Sequence, residues 1–264
     1  MCVYRYLVRL SFLKQLEDYD LSKQFSSSIR FLALLFLGIS LFSLTIFSIL
    51  TLRFSTVIIR FPFQKEIIGS IFIIICLLGI SLGVFPSKCL GIFHFRTSNV
   101  VSRKKEQNVL KMTGGKFSGH HPTCHHFKSH VLQIKDKTFC AGCTGLVIGA
   151  IFSFFGSLLY FFFDFYVEYD VFVYSLGFFG VFCGLLQYCI PKMDSIKIHF
   201  FLNVTFVLGA FLLLIGVDKI TNSFFLELYL LIIILFWIIT RIMLSQFGHK
   251  RICTICDLKK CTYL

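Results

Sequence analysis

Six stretches of nearly uncharged apolar sequence dominate this chain, at residues 31–52, 67–85, 141–163, 171–190, 198–217 and 224 to about 244. A hydrocarbon core takes about 20 residues of helix to cross, so each stretch can span a bilayer. In lipid every backbone N–H and C=O must be bonded inside the structure, and these segments are apolar all round rather than alternating, which selects helix over barrel strand. The expected fold is therefore all-α, a polytopic transmembrane bundle of about six helices. The sixth stretch is the least regular, since Glu227 and Arg241 leave only thirteen uncharged residues between them. Composition agrees: 56% of the 264 residues are apolar and 15% charged, where a soluble domain has roughly a quarter charged.

The spans divide the chain into a tail at 1–30, a first helix pair at 31–86, a long loop at 87–140, a four-helix part at 141–244 and a second tail at 245–264. Lysine and arginine mark the cytoplasmic side. The N-terminal tail holds 5, the second loop 10, the fourth loop 2 and the stretch from Arg241 onward 5, against 3, 0 and 1 in the other loops. Twenty-two against four places both termini, the long loop and its ligands in the cytoplasm of an integral membrane protein. The net charge of +13 is thus a topology signal that suits anionic lipid of the inner leaflet, and nucleic acid is not an expected partner. A cleavable signal is not expected, because no apolar run precedes Phe31 and no small-residue cleavage site follows. In the tail, Val3, Tyr6, Leu7, Leu10 and Leu13 recur at helical spacing against Arg5, Arg9 and Lys14, which reads either as an amphipathic helix on the inner leaflet or as a flexible tail.

Small residues four apart let helices approach closely in lipid, and three pairs have that spacing: Gly79 and Gly83, Gly145 and Gly149, Gly180 and Gly184. They predict tight packing among the second to fourth helices. Hydroxyl residues and Arg241 aside, the polar residues of the spans are few, Gln187, His199, Asn203 and Glu227; they make no evident ion or proton path, and His199 reads as an interfacial or packing residue.

Chemistry concentrates between Gly119 and Cys143, where His120, His121, Cys124, His125, His126, His130, Cys140 and Cys143 supply eight candidate ligands in 24 residues. Cys140-x-x-Cys143 offers two thiolates on one side of a tetrahedron, and Cys124, sixteen residues earlier, with His125 or His130 can close it; zinc is the expected ion. Both thiols sit where the third helix begins, and unpaired N–H groups with the helix dipole favour thiolate there. A thiolate also serves redox chemistry, so this setting alone does not separate the two. In the reducing cytoplasm a C-x-x-C is metal-binding or catalytic more often than a structural disulfide. A second cluster, His249, Cys253, Cys256 and Cys261, is either a four-ligand site of its own or a lender of thiolates to the loop. Cys2, Cys76, Cys89, Cys183 and Cys189 read as small hydrophobes.

With Cys124-His125 and then Phe-Cys-Ala-Gly-Cys-Thr-Gly at 139–145, the chain resembles domain of unknown function 2085, a family of small prokaryotic membrane proteins. The likeness covers roughly residues 119 to 250. It matches Cys124, His125, Cys140 and Cys143, implies a bacterial or archaeal origin and imports no activity. The chain departs from it with Gly142 in place of a frequent arginine and Val147 in place of a frequent aromatic residue.

Three functions follow from these residues. The first is a multi-pass membrane protein with a cytoplasmic Cys/His metal site, structural or binding a cytoplasmic protein or a second copy of the chain. The second is a thiol-disulfide oxidoreductase using Cys140 and Cys143, in which the histidines would have no part. The third is a metal-ion transporter, for which His199 and Asn203 would be the intramembrane ligands. No Ser-His-Asp set, phosphate loop or H-E-x-x-H pair is present, so enzyme activity is not the leading expectation and no catalytic residue is assigned.

Overall fold

The computed structural model describes residues 31–53, 62–84, 131–134, 137–163, 165, 168–187 and 195–255. Helix α1 is Phe31–Arg53 and α2 is Gln64–Val84. Two strands follow, β1 at Val131–Ile134 and β2 at Lys137–Cys140, and then α3 at Ala141–Ser157, which runs into a π-helical turn at Leu158–Phe162. Helices α4, Asp170–Leu186, α5, Ile196–Thr221, and α6, Phe224–Ile255, follow in this order among the described residues. Five of the six helices are long and apolar enough to cross a membrane; α4, at 17 residues, is shorter. The protein is a multi-pass helical membrane protein. Large apolar side chains such as Phe42, Phe152, Phe172, Phe179 and Phe201 are exposed on the outside of the bundle, as lipid contact requires.

Helix α5 is the centre of the bundle, packed on α4, α3 and α6, while α2 lies against α3. Its tightest contact comes from glycines. A Cβ on Gly180 would stand 2.9 Å from the Thr205 carbonyl oxygen and 3.0 Å from the Gly209 Cα, and one on Gly177 2.5 Å from the Leu213 nitrogen. Backbones therefore touch, which gives the dispersion that replaces hydrophobic driving force in lipid. Gly145 and Gly149 likewise face the α5 backbone at Phe200 and Val204, Gly184 faces the Phe206 side chain, and Gly83 faces Val147. Gly79 differs from its expected role: among the described residues nothing lies within 4 Å of the Cβ position there. Helix α1 joins through α6, where Trp237 Nε1 donates to the Ser40 carbonyl at 3.2 Å and to Ser43 Oγ at 3.1 Å, and Ser40 and Thr240 share a 2.8 Å hydroxyl bond.

Helix ends depart from the charge-free runs wherever a polar residue finds a partner. Helix α5 continues past residue 217 through Asp218-Lys219, so the expected six-residue turn shrinks to Asn222 and Ser223. Asn222 adopts the left-handed conformation, φ 50°, and its N–H bonds the Asp218 carbonyl at 3.0 Å, a common helix ending for asparagine. Asp218 stays inside because Tyr160 OH donates to its Oδ2 at 2.5 Å. Beside it, Gln64 Nε2 donates to Glu227 Oε1 at 2.6 Å, and the Lys65 ammonium lies 5.3 Å from the Tyr160 ring centre. One end of the bundle thus buries two acidic residues, with the start of α2, the π turn, the end of α5 and the start of α6 all contributing. At the other end α6 runs eleven residues beyond 244, to Ile255.

Candidate functional site

The hairpin decides where the thiols stand. Strands β1 and β2 pair antiparallel with Val131 opposite Cys140 and Ile134 opposite Lys137, an element that the reading of 87–140 as loop omits. Cys140 closes β2 and is the N-cap of α3, with φ −70° and ψ 122° and no side-chain cap bond. Cys143 lies in the first turn of α3; both thiols are part-buried. The Thr144 hydroxyl donates to the Cys140 carbonyl at 2.9 Å and fixes that turn. Two cysteines three residues apart at a helix start are the kind of pair that can supply half of a tetrahedral donor set to a thiophilic ion.

The other expected ligands are not brought into view. Cys124, His125 and His130 lie outside the described residues, as do Cys256 and Cys261. His249 and Cys253 stand four residues apart on the helical backbone of α6. Among the described residues no three His, Cys, Asp or Glu side chains form a group that could hold a metal.

Directly beneath the thiol pair lies a polar network inside the bundle. Gly142 separates the two layers: a Cβ there would stand 3.9 Å from Cys140 Sγ and 3.6 Å from Asn203 Nδ2. Asn203 Oδ1 accepts from Arg241 Nη2 at 2.6 Å, and the same nitrogen donates to Gln187 Oε1. Gln187 passes its amide donor to His199 Nδ1, and Asn203 Nδ2 donates to the His199 carbonyl at 2.5 Å. Arg241 and Asn203 are each 3% exposed and Gln187 4%, so a guanidinium is held inside the membrane domain by two neutral amide oxygens. An ionisable group at such depth is costly, and in membrane proteins it marks function more often than filler.

Arg241 is the residue that sequence reasoning missed. It reads there as a charge that shortens the sixth span, and His199 as an interfacial residue. The available signal was depth: Gln187 follows α4, His199 and Asn203 lie in the first two turns of α5, and Arg241 lies just past the middle of the long α6, and hydrogen bonds join them across the three helices. No family model, curated protein or solved structure matches the chain, and the site stands on its own residues.

Proposed function

We propose that the protein is a membrane-anchored metal-site protein in which Cys140 and Cys143 bind a zinc-like ion together with Cys124 and either His125 or His130. The observation that carries this reading is the Val131–Cys140 pairing. A hairpin entering a helix sets the start of β1 beside Cys140, which makes the ligands just upstream in sequence the natural ones to complete the donor set. The ion would fasten the long loop to the head of α3 and, on the cytoplasmic side, present that loop to a protein partner or a second copy of the chain. Bound zinc supplies folding free energy rather than chemistry in such a closed site.

A transporter reading would need ligands along the spans. His199 and Asn203 fit it less well, since both are engaged with Gln187 and Arg241. Cobalt(II) titration of the purified protein tests the metal reading. Thiolate-to-cobalt charge-transfer bands that vanish in Cys140→Ser and Cys143→Ser are expected. A wild type without such bands, cycling instead between a dithiol and a Cys140–Cys143 disulfide, would favour the oxidoreductase.

A further inference from the structure

The thiol pair opens α3, and the π turn that closes it carries Tyr160 into a second polar cluster at the opposite end of the bundle. We infer that this cluster binds a monovalent alkali cation between Asp218, Glu227 and the side-chain oxygen of Gln64. Asp218 is 2% exposed, Glu227 0% and Gln64 5%, and ionisable groups so deep in a membrane domain mark ion or proton sites more often than packing. The observation that points to a ligand is on Gln64. Its Nε2 donates to Glu227 Oε1 at 2.6 Å, which seats the amide in the cluster. Its Oε1 is buried and finds no hydrogen-bond partner among the described residues, and a buried acceptor in that state costs stability until a donor or a cation meets it.

Helix ends add a second demand for positive charge. Glu227 lies in the first turn of α6, where the dipole favours a carboxylate, but Asp218 lies in the last turn of α5, where the dipole opposes a carboxylate and favours a cation. Tyr160 OH donates to Asp218 Oδ2 at 2.5 Å, which satisfies one oxygen without cancelling its charge. The π turn that presents Tyr160 is an irregularity found at functional sites, and sodium sites in membrane transporters are likewise built at helix C-terminal ends beside irregular backbone. Lys65 and Lys219 are both part-exposed, so the fully buried charges here are the two carboxylates. The donors are all oxygen, which selects a hard cation. No three His, Cys, Asp or Glu side chains gather among the described residues, so a monovalent ion suits the site better than a divalent one. The cluster stands whether or not the thiols bind zinc.

Binding of radiolabelled sodium to the full-length protein in detergent is measured at fixed pH, with choline chloride holding the ionic strength constant, and thermal unfolding is followed in sodium, potassium and choline chloride. The wild type should show saturable sodium binding, displaced by unlabelled sodium or potassium and not by choline, and should melt at a higher temperature in the alkali chlorides. Asp218→Asn and Glu227→Gln each remove a charge but keep an acceptor for Tyr160 or Gln64, and Gln64→Leu removes the amide oxygen; each should bind sodium about tenfold more weakly or worse. If Asp218→Asn does not fold, Glu227→Gln and Gln64→Leu decide. A wild type without saturable alkali-ion binding, melting alike in all three salts, would overturn the inference and leave the carboxylates to protons or water. Wild-type sodium affinity in the folded variants would overturn it equally.

Discussion

Val131 stands across the hairpin from Cys140, and His130 is the residue that precedes it in sequence. His125 has five more residues of chain between itself and that anchor. His130→Ala should therefore weaken zinc binding more than His125→Ala. Chelator competition on the two variants checks this, and the reverse order would move the fourth ligand to His125.

Glycine contacts at α4 and α5 should be intolerant of side chains. Gly180→Leu and Gly209→Leu push a side chain into facing backbone, where a Cβ on Gly209 would stand 2.8 Å from the Val181 nitrogen, and overpacking of this kind costs about 1–3 kcal/mol or more. Gly79→Leu, pointing into open space, should be close to neutral. Thermal stability in detergent separates them; equal losses at Gly79 and Gly180 would contradict the packing described.

Tyr160→Phe removes the donor to Asp218 and leaves a buried carboxylate oxygen without it. A loss of about 1–2 kcal/mol is expected, between the membrane average for a hydrogen bond and the value for a charged one. Urea or thermal unfolding of the single variant reads it directly. An unchanged midpoint would mean that water or Lys65 replaces the tyrosine.

Arg241, now inside the bundle, leaves the count of basic residues that argues for orientation, yet 21 against 4 still favours cytoplasmic termini. Single-cysteine labelling with an impermeant maleimide should therefore mark position 168 from outside and positions 135 and 259 only after permeabilisation. Labelling of position 135 from outside would invert the protein and place the thiols in an oxidising compartment.

Spans were legible in the sequence because exclusion of charge from hydrocarbon is a local property, and each of the six runs shows it by itself. Their ends were less so. Gln64 and Asp218 extend α2 and α5 because Glu227 and Tyr160 answer them from other helices, and no window of sequence contains both partners. The hairpin escaped for a related reason: Lys135-Asp136 between the strands lacks the Asn-Gly or Asp-Gly signal, so pairing depends on where the head of α3 is fixed. The place of Cys140 and Cys143 at the head of α3 was legible from the apolar run that begins there. Arg241 was not, since a charge in an apolar run reads as a boundary until Gln187 and Asn203 are seen around it.

Metal content tests the central claim most directly. Elemental analysis of the full-length protein, purified without chelator and with thiols counted in denaturant, should find about one zinc per chain in the wild type and little in Cys140→Ser. Metal-free wild-type protein that stays folded and does not take up added zinc, with Cys140 and Cys143 joined as a reversible disulfide, would contradict it.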